Sequence, residues 1–251
     1  MTTEGRTAPK RSSPASAWGI SGLARERLLT WGASALARTA RLLWYLETLV
    51  LSARYQQLLD RAPWARGPVR HPHRAQLWLK AAAPRLRGGG FTALEFGVAS
   101  GLATGWWAAS GVPFLAWHGF DTFEGLPSDW RRGDVAVMAA GEFTPAAGVG
   151  SVPDLEAPFP YTWHAGLIGD TLPGFDRPPG SLFILIDTDL LEPAEEVLGW
   201  LLVHGRPGDV VYLDEAFDPW NEGLALRRAI AAGLAVNAVA YTGSALLIEL
   251  V

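Results

Sequence analysis

The stretch that most constrains the fold is Phe91-Thr-Ala-Leu-Glu95-Phe-Gly97-Val-Ala-Ser-Gly101, a short apolar run that ends in a carboxylate and then in small residues. The pattern predicts a buried strand over 92–96, a tight turn over 97–101 and a helix from Leu102 to Ser110. In an open α/β sheet such a strand-to-helix turn is where a ligand binds, because strand carboxyl ends and helix amino ends converge there. Glycine lets the backbone come close to a ligand, and the first helical N–H groups have no partner inside the helix. The dinucleotide fingerprint G-x-G-x-x-G is broken, since Ala99 and Leu102 stand where its second and third glycines belong. What remains is Glu95-x-Gly97-x-x-x-Gly101, with an acid on the strand tip. A carboxylate there can accept hydrogen bonds from an ammonium group, which suits an amino-acid-bearing cofactor such as S-adenosylmethionine. By itself the turn is equally compatible with glycines that serve packing alone.

The same alternation continues downstream. Strands are expected at 113–120, 161–165, 181–186, 210–213, 236–240 and 245–250, with helices at 193–204 and 223–231. With 92–96 this makes a doubly wound α/β sheet of seven strands. Asp121 follows the second strand, 24 residues beyond Gly97, where an acid can bind ribose hydroxyls in a dinucleotide or an S-adenosylmethionine site alike. Residues 122–160 carry many Gly, Pro and acidic residues, a connection long enough to be a substrate loop. Trp130, Arg131 and Arg132 are its candidates to face a substrate. The runs 181–186 and 210–213 end in Asp187-Thr-Asp189 and Asp214-Glu215. Neighbouring parallel strands lie about 4.8 Å apart, so these carboxylates would repel one another unless a cation or proton intervened. Hard oxygen donors in that number suit Mg²⁺, and capping of the following helices by Asp189 and Glu215 is the alternative use for them.

Charge divides the chain. Residues 1–90 hold 15 Lys and Arg against 4 Asp and Glu, a net +11, whereas residues 91–251 hold 6 against 21, a net −15. The two parts should attract each other, with a boundary near Gly88-Gly89-Gly90. Residues 1–17 read as a disordered basic tail. Residues 18–90 read as a helical appendage, a roof over the cofactor site or a dimer interface, with a helix over 75–83. Arg70-His71-Pro72-His73-Arg74 lacks the spacing of a helical metal site and is expected to be a solvated turn. The arginines are scattered and form no stripe for nucleic acid. With no cysteine, disulfides and thiolate chemistry are excluded. The longest apolar run, 42–51, is too short to span a bilayer and the first residues lack a signal-peptide pattern, so a soluble cytoplasmic protein is expected.

Five segments in order, Glu95-Phe-Gly-Val98, Gly119-Phe-Asp-Thr-Phe-Glu-Gly-Leu-Pro127, Gly169-Asp-Thr-Leu-Pro173, Ile186-Asp-Thr-Asp-Leu190 and Leu213-Asp-Glu215, resemble class I S-adenosylmethionine-dependent methyltransferases. Among these they resemble the macrocin O-methyltransferase-like branch, met in natural-product tailoring. The resemblance covers residues 91–251 and implies a Rossmann-like methyltransferase sheet carrying an O-methyltransferase for a small-molecule hydroxyl. It implies Glu95, Gly97 and Gly101 at the methionine part of S-adenosylmethionine, Asp121 at the ribose, and Gly166, Leu167 and Ile168 at the adenine, with Thr122 and Asp187 completing the cofactor set. Asp187, Asp214 and Glu215 would match the Mg²⁺ ligands and Asp189 the general base, with His164 as a base should the reaction be metal-free. Two positions depart from the pattern: Leu191 replaces an aromatic residue, and Glu215 replaces an aspartate. A homo-oligomer through the N-terminal helices is expected, and the competing functions are a non-catalytic partner of a biosynthetic enzyme and a nucleotide-dependent oxidoreductase.

Overall fold

Residues 181–186, Ser-Leu-Phe-Ile-Leu-Ile, cannot face water on either side, and in the computed structural model they form the middle of the sheet. The structure describes Val50, Ala53 and residues 68–145 and 148–251, all within one compact unit that spans Thr48–Val251. The expected tail 1–17, most of the appendage 18–90 and the homo-oligomer interface assigned to it lie outside the described residues.

In chain order the elements are β1 (Val69–Arg70), a helix α1 over 74–86, β2 (Phe91–Phe96), α2 (Leu102–Ala109), β3 (Phe114–Asp121), β4 (Trp130–Arg132), β5 (Val135–Met138), β6 (Tyr161–Ala165), α3 (Ile168–Thr171), β7 (Ser181–Ile186), α4 (Leu191–His204), β8 (Val210–Leu213), α5 (Glu222–Ala231), β9 (Val236–Tyr241) and β10 (Leu246–Leu250). Eight strands form the main sheet in the order β1-β9-β10-β8-β7-β2-β3-β6. β10 runs antiparallel to both its neighbours and every other pairing is parallel. The seven expected strands are present, and the eighth, β1, is a two-residue addition at the edge beside β9. A separate ribbon, β4–β5, occupies the long connection 122–160.

Alternation decides which face each side chain enters. From β7, Leu182, Ile184 and Ile186 join one core cluster with α4 and α5, while Phe183 and Leu185 join the other with α1 and α2. Both faces are therefore covered, the condition under which a parallel strand reads as an unbroken apolar run. Helix α1 passes through a π-helical stretch, Trp78–Ala82, and buries Leu77, Trp78, Ala82 and Leu86 in the second cluster. The stretch after it, at Gly88-Gly89-Gly90, is thus a turn inside one unit, with Gly89 and Gly90 at positive φ. No helix among the described residues is long and apolar enough to cross a membrane.

β2 and β7 lie side by side, and the chain winds outward from them in opposite directions. The carboxyl ends of that pair are the switch point at which an open α/β sheet forms its crevice.

Candidate active site

The strand tips stay paired one residue past the strands: Asp187 N donates to Phe96 O at 2.9 Å, Gly97 N to Phe120 O at 3.0 Å and Asp214 N to Ile186 O at 3.0 Å. This ladder brings the acid-bearing tips to one edge. A cavity of about 960 Å³ opens there, lined by Glu95, Gly97, Asp121, Thr122, Gly166, Leu167, Ile168, Asp187, Asp189, Asp214 and Glu215. Gly101 is not part of its wall. Instead Gly101 precedes α2 at φ 76°, where an added Cβ would meet Leu155 and Pro153. Gly97 is required for a reason invisible in the sequence. A Cβ there would sit 1.9 Å from the Asp187 carbonyl oxygen, so the glycine admits the neighbouring strand's backbone as well as any ligand.

Glu95 is buried, and one of its oxygens, Oε2, accepts from the Thr104 hydroxyl and from Trp117 Nε1 at 2.8 Å. The other, Oε1, is buried with no hydrogen-bond partner among the described residues. Burial pushes the Glu95 carboxyl up to about 7, against the pull of those two donors. Asp121 ties two turns together: Oδ2 accepts from Val98 N at 2.7 Å and Ala99 N at 2.8 Å, and Oδ1 from Phe123 N at 2.7 Å. A carboxylate offers about four acceptor directions, so one is left for a ribose hydroxyl. The clasp also holds Ala99 at φ 48°, a left-handed conformation for which the dinucleotide motif would use glycine.

The other half of the edge is more crowded. Burial pushes Asp189 up to about 7, with the Asp214 charge adding to it and Arg132 opposing. Glu215 rises to about 7 by burial against the pull of Arg132. Asp187 is raised by burial and by Asp214 and Asp189, while Arg74 draws it down. Asp189 has φ 60°, a conformation that costs a non-glycine residue about 1 kcal/mol or more and that clusters at functional sites. The helix-capping alternative does not hold. α4 is preceded by Leu190 and α5 by Asn221, neither with a side-chain cap bond.

Three residues in this half were missed by sequence reasoning. Arg74, expected in a solvated turn, lines the cavity and places Nη1 3.7 Å from Asp187 Oδ2 and 3.5 Å from Asp214 Oδ2. Asp218, fully buried in its side chain, binds Arg132 Nε at 2.8 Å, while Arg132 Nη2 reaches Glu215 Oε2 at 3.2 Å. Glu222, fully buried, accepts from Thr188 N at 2.9 Å and Asp189 N at 3.4 Å on one oxygen and from Glu215 N at 2.9 Å on the other. It staples the two acidic turns together. The signal for Glu222 was its place in the first turn of a helix after an acidic strand tip, which the sequence reading gave to Gly223 onward.

The chemistry of the donor set does not fit Mg²⁺ at Asp187, Asp214 and Glu215 as arranged. Both Asp214 oxygens are engaged, Oδ1 by the Tyr212 hydroxyl and Oδ2 by Arg74, and Glu215 is engaged by Arg132. Among the described residues no group of three or more His, Asp or Glu side chains is placed to hold a metal ion. His164 is likewise outside the cavity. It stacks on Phe120 at 4.3 Å and faces His118, Nε2 to Nδ1 at 3.2 Å, so it cannot serve as the alternative base. The ribbon contributes Trp130 and Arg131 to the cavity wall, whereas Arg132 turns to the acids behind it. Trp130 Nε1 is buried without a hydrogen-bond partner among the described residues.

No protein-family model matches the chain, and no curated protein matches it. Solved structures do. CalS11, a calicheamicin methyltransferase, superposes with a TM-score of 0.53 at 19% identity, covering 80% of this chain and 91% of its own. An O-methyltransferase from Bacillus cereus in complex with SAH gives 0.45 at 18% identity, over 80% and 90%. TomG of Streptomyces achromogenes, an O-methyltransferase involved in tomaymycin synthesis and in complex with SAM, gives 0.42 at 22%, over 82% and 89%. The likeness to CalS11 shows the fold: this chain has a Rossmann-like methyltransferase sheet.

Proposed function

We propose that the chain is a class I S-adenosylmethionine-dependent O-methyltransferase of the macrocin O-methyltransferase-like branch, acting on a hydroxyl of a small molecule in natural-product tailoring. The observation that carries this reading is the division of one cavity: the Glu95 turn on one side and the Asp189 carboxyl, raised to about 7, on the other. A carboxyl that titrates near neutral pH is matched to accepting a proton from a hydroxyl.

The residues present fit the cofactor. Glu95 Oε1 is a buried acceptor in want of a donor, as an ammonium group would supply, and the cavity is at the upper end of the size that one drug-sized ligand fills. When bound, the cofactor supplies an electrophilic methyl on a sulfonium. Glu95 and the Gly97 turn would bind its methionine part, Asp121 and Thr122 its ribose, and Gly166, Leu167 and Ile168 its adenine. Asp189 would accept the acceptor's proton at its carboxylate, while Trp130 and Arg131 hold the acceptor and exclude water. Most of the protein's contribution to such a displacement is alignment, since two reactants held in line react as one.

The test is calorimetry with S-adenosylhomocysteine and NAD. Micromolar binding of the first and none of the second is expected. The reverse would point to an oxidoreductase, and binding of neither would sink the methyltransferase reading.

A further inference from the structure

We propose that the Arg74 guanidinium is the resident cation of the Asp187–Asp214 pair, so that this site is assembled without a divalent metal and disfavours one. Two carboxylates on adjacent strand tips need a positive charge between them. A divalent ion would supply it through short bonds to oxygens from both acids, at about 2.0–2.1 Å for Mg²⁺. The oxygens that would turn inward for such an ion, Asp187 Oδ2 and Asp214 Oδ2, both face one nitrogen, Arg74 Nη1. The acid expected as the third ligand, Glu215, is paired with the second guanidinium, Arg132, at 3.2 Å.

The placement of Arg74 is built. Its Cζ lies 5.7 Å from the Trp78 ring, one helical turn along α1, the spacing at which helix side chains meet. Trp78 packs edge-on against Tyr212 at 5.4 Å and against Trp106 and Trp107 at 5.1 and 5.8 Å. Tyr212 in turn donates its hydroxyl to Asp214 Oδ1. Arginine, tryptophan, tyrosine and aspartate therefore close a ring of contacts that fixes both the cation and the carboxylate it faces. The Arg74 side chain is half exposed and lines the cavity, so its remaining N–H groups can reach an acceptor. The last point rests on the methyltransferase reading, whereas the pairing itself does not.

The test uses the full chain and Mn²⁺ as probe, read by electron paramagnetic resonance of the free ion. Wild-type protein should leave the free-ion signal undiminished. Arg74→Met, which keeps the stem but removes the charge, should bind Mn²⁺ at least ~10-fold more tightly, because the bare pair regains the attraction a cation supplies. Arg74→Lys keeps a charge and should behave as wild type. The proposal is overturned by wild-type protein that already binds Mn²⁺ as tightly as Arg74→Met, or by a folded Arg74→Met that gains nothing. A measurement that needs no variant stands beside these. The wild-type thermal midpoint should not move with excess Mg²⁺ or with EDTA, and a rise with Mg²⁺ overturns the proposal, since an ion that binds only the folded state must stabilise it. Failure of S-adenosylhomocysteine to bind would sink the methyltransferase reading and leave the Mn²⁺ contrast standing.

Discussion

The two halves of the sheet edge, one with Glu95 and Asp121 and the other with Asp187, Asp189, Asp214, Glu215, Asp218 and Glu222, stabilise their acids in different ways. On the β2–β3 side, Glu95 and Asp121 are satisfied by neutral donors: a hydroxyl, an indole N–H and three backbone N–H groups, all within 25 residues of the acid they serve. On the β7–β8 side, Asp187, Asp214, Glu215 and Asp218 are satisfied by guanidinium groups from Arg74 and Arg132, more than 80 residues away in sequence. Neutral donors leave a carboxylate's charge in place for a cationic ligand. Guanidinium groups spend it within the protein, and a bidentate or bridging fork also fixes geometry. We read the first half as built to receive a cationic cofactor and the second to be complete before any ligand arrives, with Asp189 as its spare acid.

The largest expected effect breaks the comparison at that spare acid. Asp189→Asn should cut the rate of methyl transfer ~10²–10⁴-fold, the usual worth of a general base, while S-adenosylhomocysteine affinity stays as it was. Equal loss of both would mean that Asp189 only shapes the cavity. Next in size is the seam between the halves. Gly97→Ala puts a Cβ against the Asp187 carbonyl at a backbone φ of 89°, so both overpacking and left-handed strain act. Together these should lower the thermal midpoint by roughly 10 °C, by the order expected of a few kcal/mol in a domain of this size. A variant that melts like wild type would show that the two tips can part cheaply.

The same difference between halves explains what could be read in advance. The strands, their order of appearance and the acids at their tips follow from short-range pattern, and so did the glycine turn. Glu95 and Asp121 find their partners locally, and their environment is nearly implicit in the sequence. Arg74 is 113 residues from Asp187, in a stretch whose local signature of two histidines and a proline suggests a solvated turn. Only the charge asymmetry, basic before residue 91 and acidic after, carried a hint that such an arginine would be drawn to the acids, and it named no residue. The reading of Asp187, Asp214 and Glu215 as a metal set had the same origin: four acids at one edge demand a cation, and the sequence does not say that arginine supplies it. His164 was misjudged because its register sets it against Phe120 and beside His118, where it packs on those rings and is not part of the cavity wall. Nor could periodicity show Glu222, since a first-turn acid on a helix is ordinarily a solvated one.

A smaller effect tests how the arginine side is held together. Glu222 accepts from both acidic turns, and Glu222→Gln keeps only one acceptor oxygen while turning an NH₂ donor toward the other turn's N–H. One turn is then released, either Thr188–Asp189 or Glu215. Misplacement of a reacting group by about 1 Å costs up to ~10²-fold, so kcat should fall ~10–10²-fold with little change in the affinity for S-adenosylhomocysteine. A purely structural role would lower the melting point and leave the pH profile alone. Loss of position should also move the ascending limb of the kcat–pH curve, because the environment that raises Asp189 is the one Glu222 maintains.

The smallest effect is thermodynamic and falls on both halves. Glu95, Asp189 and Glu215 are each raised to about 7 when folded, and the first cause in every case is burial. In the unfolded chain aspartate and glutamate titrate near ~3.9 and ~4.3. Between those values and about 7 the folded protein holds protons that the unfolded chain has released, so stability falls as pH rises through that window and levels off above it. The thermal midpoint should therefore be higher at pH 5 than at pH 8, by a few degrees at most, because partial exposure of Asp189 and Glu215 weakens their share. Glu95→Gln and Asp189→Asn should each make the slope shallower, and the larger flattening is expected from Glu95, the more deeply buried of the two. A midpoint that rises with pH over this range would mean that these acids are already ionised in the folded protein. The donors on the β2–β3 side and the arginines on the other would then be stronger than burial.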